Sequence, residues 1–127
     1  MSIYERWERH HVTGVDLMKR LFEQDRPTVG GFDTETTGLH IKKDKPFLIV
    51  FGWFIPGEDH GRVFTFHPTN ENMRVFHELA SCLKAFIGWN VKYDLHMLAN
   101  IGWDYTCKNL VEGMALARLS VEAIPAR

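Results

Sequence analysis

The sequence predicts a mixed α/β fold: a β-sheet that opens as an antiparallel meander and continues through parallel strands, flanked by helices on both faces. Two observations predict it. Three strand-like stretches, Val29 to Thr34, Pro46 to Ile55 and Arg62 to His67, are joined by short polar connections, the mark of a meander. Beyond them, helical and strand-like segments alternate, which implies α/β crossovers. The candidate chemistry lies at the end of the first strand, where two acids stand in the run Thr28 to Leu39 (TVGGFDTETTGL).

The elements follow in order. Ser2 to Asp25 reads as helical, with a break near Thr13-Gly14. Thr13 and Asp16 resemble a capping box in which Asp replaces Glu. Val15, Met18, Leu21 and Phe22 then recur at helical spacing. Ile3, Tyr4 and Trp7 form a smaller stripe, and Pro27 ends the segment. After the acidic strand, residues 40–45 (HIKKDK) form a basic turn. Pro46 to Ile55 (PFLIVFGWFI) is a continuous apolar run, which predicts a strand buried on both faces. Pro56 to Asp59 is a turn. In the next strand Phe64 and Phe66 share a face.

Thr69 or Asn70 starts a helix running to about Phe86, with Val75, Phe76, Leu79, Cys82, Leu83 and Phe86 on one face. Ile87 to Asn90 reads as a strand, and Lys92 to about Ile101 as a helix ended by Gly102. Cys107 to Val111 reads as a last short strand and Met114 to Glu122 as a helix by propensity. Residues 1–26 are thus a helical segment packing on the core, and residues 27–127 the domain proper.

Composition narrows the class. With 127 residues, 45% of them hydrophobic, the chain can bury an ordinary core. The net charge is −1, so any contact with nucleic acid is local rather than driven by a global basic field. Cys82 and Cys107 have no CxxC neighbour and read as reduced, buried thiols. No apolar run is long enough to cross a membrane, and the charged N-terminus is unlike a secretory signal. A soluble cytoplasmic protein is the expectation. The histidines read as solvated or packing residues, and Trp53, Trp89 and Trp103 as core, with base stacking the alternative for any that is exposed.

Alternation along the first strand places Asp33 and Glu35 on one face and Thr34 on the other. Two carboxylates on one face repel each other unless a cation compensates. Hard divalent ions take oxygen ligands, so Asp33 and Glu35 are a candidate metal-binding pair for phosphate chemistry. Taken alone, the pair reads equally well as two solvated acids. The second acidic stretch, Ile87 to Trp103 (IGWNVKYDLHMLANIGW), puts Asn90 at a strand-to-helix junction. Asp94 follows in the first helical turn, where the helix dipole favours an anion.

Together the two stretches resemble the 3′–5′ exonuclease domain of family A, DNA polymerase I-like, DNA polymerases. That domain belongs to the DEDD exonuclease superfamily, which the nuclease of the ribonuclease D type shares. Asp33 and Glu35 match the Asp-x-Glu motif, and Asn90 and Asp94 the Asn-x-x-x-Asp motif. The Lys-Tyr-Asp triplet and the Leu-Ala-Asn-x-Gly run match as well, and the likeness extends from about Thr28 to Leu119. The resemblance implies a ribonuclease H-like fold and two divalent ions, Mg²⁺ or Mn²⁺, held by Asp33, Glu35 and Asp94. It further implies removal of nucleotides from a single-stranded DNA 3′ end as a proofreading activity, with a polymerase domain in a longer chain. Thr36, Thr37, Leu39 and Asn90 would meet the nucleic acid. Lys92 is placed for a phosphate; Leu39 reads equally well as a core or turn leucine, and Asn90 as a cap.

The pattern is not complete. The family's fourth acid lies in a Tyr-x-x-x-Asp or His-x-x-x-x-Asp motif. Tyr93 and Tyr105 are followed four residues on by Met97 and Asn109. Glu112-Gly113 stands where relatives carry Asp-Thr, and Glu112 reads as a solvated acid. Two expectations compete. One is an exonuclease domain incomplete at its C-terminus. The other is a catalytically inactive nucleic-acid- or protein-binding module. Either leaves apolar surface uncovered, and with it an exposed patch or a homo-oligomer.

Overall fold

The computed structural model describes residues 7–38, 43–88, 91–103 and 109–112. Its elements are β1 (Glu8–Val12), α1 (Asp16–Asp25), β2 (Val29–Thr36), β3 (Pro46–Phe54) and β4 (Gly61–Phe66), then α2 (Asn70–Ser81), β5 (Ala85–Gly88), α3 (Val91–Ala99) and β6 (Leu110–Glu112). The strands form one sheet in the order β1-β4-β3-β2-β5-β6. β2, β3 and β4 pair antiparallel, as expected of the meander. β5 joins β2 and β6 joins β5 in parallel, each after a helix.

Alternation builds the core on one face. Phe32 lies opposite Phe51, and Phe51 opposite Phe64. Ile49, Phe51, Trp53, Phe64 and Phe66 are fully buried there. Phe76 of α2 packs its ring edge against Phe51, 5.2 Å between centroids, and also meets Phe32 and Phe86. Phe22 of α1 meets Trp53 at 5.1 Å. All three described helices lie on this face, because α3 reaches it through Thr34, which alternation places beside Phe32. The helices expected on the second face are therefore not found among the described residues.

Several expectations are corrected. Residues 8–12 form a strand rather than a helix. ERHHV carries no helical stripe, and it pairs in parallel with the edge of β4, Glu8 opposite Arg62 and Val12 opposite Phe66. α1 starts without a capping box: its N-cap is Val15, with no side-chain cap. α2 stops at Ser81 rather than near Phe86. The apolar spacing runs on, but the amides of Lys84 and Ala85 bond to Thr28 O and begin a strand ladder. Phe86 is consequently buried from β5. Cys82, at the α2 C-cap, is exposed rather than buried.

β3 is not buried on both faces. Phe54, on the face away from the core, is 49% exposed, and Phe47, at the register shift near the start of the strand, is 50% exposed. A groove of about 350 Å³ runs along that outer face past Gly31, Asp33, Val50, Gly52, Phe54 and Ile87. Gly31 is required by close approach: a Cβ there would sit 2.9 Å from Ile87 O and push β2 off β5. The exposed apolar surface expected from the sequence is thus present among the described residues.

Other local readings are met. Trp53 is buried, and Gly102 ends the α3 turn at φ 88°. Thr69 caps α2, its hydroxyl accepting from the Asn72 amide at 3.2 Å. Thr69→Ala should therefore lower stability by about 1 kcal/mol, read as a shifted urea midpoint at constant slope. An unmoved midpoint would show that the cap contributes nothing. Trp89, Cys107 and the Met114 to Glu122 segment lie outside the described residues. No helix among the described residues is long and apolar enough to cross a membrane.

Candidate active site

The site forms where the end of β2 meets the first turn of α3. Alternation along β2 leaves Asp33 and Glu35 exposed on the outer face and Thr34 buried on the inner one. Asp33 turns one oxygen back along the chain and accepts from the Thr34 amide at 2.9 Å. Thr34 points inward and donates its hydroxyl to Asp94 Oδ1 at 2.9 Å. One threonine therefore links the two acids, its backbone holding Asp33 and its side chain holding Asp94.

Asp94 is the unusual group. It is 2% exposed, and its Oδ2 has no hydrogen-bond partner among the described residues. Burial pushes its carboxyl up to about 6; the Thr34 hydrogen bond opposes that rise, and the negative charge of Asp33 adds to it. Asp33 and Asp94 thus sense each other across Thr34. A position in the first turn of α3 partly offsets the cost of the charge.

The segment after the acids is tied down. Thr36 Oγ1 donates to Gly38 O at 2.8 Å and meets the Tyr93 hydroxyl at 2.9 Å. Tyr93 also donates to Gly38 O at 3.0 Å. The Thr37 amide donates to Lys45 O at 3.0 Å, and its hydroxyl donates to Asp44 Oδ1 at 3.0 Å. Lys92 is exposed in the first turn of α3. Leu39 and Asn90 lie outside the described residues.

The structure brings Asp33, Thr34 and Asp94 together and places Glu35 two residues along the same strand. Among the described residues no group of three or more His, Cys, Asp or Glu side chains is arranged to hold a metal ion. The donor chemistry nevertheless suits a hard cation. Asp33 and Asp94 offer oxygen only, and among the described residues the Asp94 Oδ2 is unpartnered and the two charges oppose each other without a counterion. Sequence reasoning missed Thr34, Tyr93 and Asp44 as parts of the site. Alternation did signal that Thr34 faces away from Asp33 and Glu35, but nothing local shows that this side is buried or which acid it meets.

No protein-family profile matches the chain, and no curated protein matches it. Solved structures do. Brucella melitensis NrnC aligns over 95% of this chain and 54% of its own, at 16% identity and a TM-score of 0.56. The Aedes aegypti Nibbler EXO domain aligns over 92% and 57%, at 13% identity and a TM-score of 0.62. Escherichia coli RNase D, an exoribonuclease involved in structured RNA processing, aligns over 84% and 28%, at 17% identity and a TM-score of 0.60. NrnC also matches in its forms with bound Mg²⁺ and bound to pGG. The chain spans little more than half the length of the first two. The likeness is one of fold: a ribonuclease H-like mixed sheet flanked by helices.

Proposed function

We propose that this chain carries the core of a metal-dependent 3′–5′ exonuclease acting on single-stranded nucleic-acid ends. The observation that carries the reading is the buried Asp94 carboxylate, hydrogen-bonded by Thr34 beside Asp33 with one oxygen unpartnered. A carboxylate so placed destabilises the fold when ionised, a cost a structural role does not require and a cation offsets. The motif resemblance and the shared fold support the same reading. Asp33, Glu35 and Asp94 would hold the cations. Bound there, divalent ions acidify a water and stabilise the attacking and leaving oxygens of phosphodiester hydrolysis. Thr34 orients Asp94 and fixes Asp33 by its amide. Thr36 and Thr37, with Leu39 and Asn90, receive the terminal nucleotide, and Lys92 meets a backbone phosphate. The family A motifs favour DNA and proofreading; the RNA-processing RNase D and the pGG-bound NrnC favour RNA ends.

A second reading rests on one observation: no third acid joins Asp33 and Asp94 among the described residues. It makes the chain a binding module on the exonuclease fold.

Degradation of 5′-labelled single-stranded DNA, and of RNA of the same sequence, separates the two readings. The expected result is a ladder of 3′-shortened products in Mg²⁺ or Mn²⁺, abolished by a chelator and by Asp33→Ala. The better-cut strand identifies the sugar. A folded chain that yields no ladder on either strand overturns the exonuclease reading in favour of the binding module.

A further inference from the structure

α3 does more than carry Asp94. Asn100 directly follows its last helical residue, and its side chain donates from Nδ2 to Asp44 O at 2.7 Å, across 56 residues of sequence. Tyr93 lies seven residues before Asn100, two helical turns away and on the same side of the helix. Tyr93 holds Gly38 O. One helix and the residue after it therefore hold both Gly38, just past β2, and Asp44, just before β3.

The two sides are also fastened to each other. The Thr37 amide reaches Lys45 O, the Lys45 amide reaches the Thr37 hydroxyl at 3.1 Å, and that hydroxyl reaches Asp44 Oδ1. The neck is tight: a Cβ on Gly38 would lie 2.6 Å from Asp44 Oδ2. Asn100 is the outer anchor of this neck. It holds the Asp44 backbone, Asp44 holds Thr37, and Thr37 adjoins the acids of β2.

We propose that Asn100 is a positioning residue, which acts through Asp44 to set where Thr36 and Thr37 stand relative to Asp94. The inference rests on the exonuclease reading and extends it to how the terminal nucleotide is seated. The bond Asn100 makes is remote from the acids, so its loss loosens the receiving segment and leaves the acids in place. The consequence is weaker seating of the 3′ end with little change in the cleavage step.

The test is Asn100→Asp, which keeps the shape and replaces the donor by an acceptor facing a carbonyl. KM for the labelled oligonucleotide should rise roughly fivefold to tenfold, with kcat within about twofold of the unaltered chain. Amide exchange at Thr37 and Lys45 should quicken by a similar factor, a readout that needs no substrate. Thr37→Val breaks the same chain of bonds beyond Asp44, so adding Asn100→Asp to it should raise KM less than about twofold further. Should Asn100→Asp not fold, Asn100→Ala gives the same readouts. An unmoved KM with an unaltered chain that cleaves overturns this inference alone, as does a kcat that falls as far as KM rises. An unaltered chain that fails to cleave overturns the exonuclease reading and this inference with it.

Discussion

Asp94→Asn is expected to make the metal-free protein more stable at pH 8 by about 2–3 kcal/mol and to lower cleavage roughly 10³-fold. The two effects have one cause. Folding raises the Asp94 carboxyl from its ordinary 3.8 to about 6, burial being the main reason. Each unit of such a shift is about 1.4 kcal/mol of preference for the neutral form. The sign follows from proton counts. Between about pH 4 and pH 6 the folded state holds the Asp94 proton and the unfolded state does not. Stability therefore falls as pH rises through that window and stays low above it. Asparagine is neutral throughout and still accepts from Thr34 through its Oδ1 atom. Its profile should lack this slope.

Urea unfolding of both proteins from pH 4 to pH 8, with and without Mg²⁺, measures this. On the proposed reading, in which the cation is held by the ionised carboxylate, Mg²⁺ should stabilise the native protein more at pH 8 than at pH 5, and should stabilise the variant less at either pH. Parallel profiles for the two proteins would sink the account. So would a variant that cleaves at the native rate.

Asp25→Ala is expected to cost about 3 kcal/mol. Asp25 ends α1 and accepts from Trp53 Nε1 at 2.8 Å and from Arg62 Nε at 2.6 Å. The side chains of Arg62 and Asp25 are only 12% and 4% exposed. Arg62 is also paired with Glu8 of β1. The cluster fastens α1 to β3 and β4 and holds the edge strand β1 in place. Removing the carboxylate leaves the guanidinium buried with Glu8 as its one acid partner among the described residues, and the indole N–H without its acceptor. Asp25→Asn keeps an acceptor for Trp53 and should cost about half as much. Urea midpoints at constant slope measure both, and a loss below about 1 kcal/mol for Asp25→Ala would show that Glu8 and water replace Asp25.

The pH dependence gives an independent check. Burial alone raises the Asp25 carboxyl, but the hydrogen bonds and charge of Arg62, together with Trp53, more than offset it and hold it below its usual value. Its contribution is present above the unfolded pKa and lost as pH falls through the folded one. The two acids therefore pull in opposite directions. Acidifying from pH 6 to pH 4 adds stability through Asp94, and further acidification removes it through Asp25.

The sequence by itself determined what depends on neighbours a few residues away. Period-two alternation put Asp33 and Glu35 on one face and Thr34 on the other, and the short polar connections made β2 to β4 a meander. Thr69 and Gly102 marked helix ends because caps and positive φ are local backbone requirements. The same spacing rules misplaced Phe86, since an apolar residue fits either a helix face or a buried strand, and only pairing with β2 decided it. Glu8–Val12 has no period of its own and became a strand because the edge of β4 had backbone groups to satisfy. Thr34 and Asp94 are 60 residues apart, Asp25 and Arg62 are 37 apart, and Asn100 and Asp44 are 56 apart. No local pattern carries such pairings. They exist only once the strand order brings β2 beside β5 and lays α3 over the end of β2, so the burial that shifts Asp94, and the chemistry proposed for it, were decided by the tertiary structure.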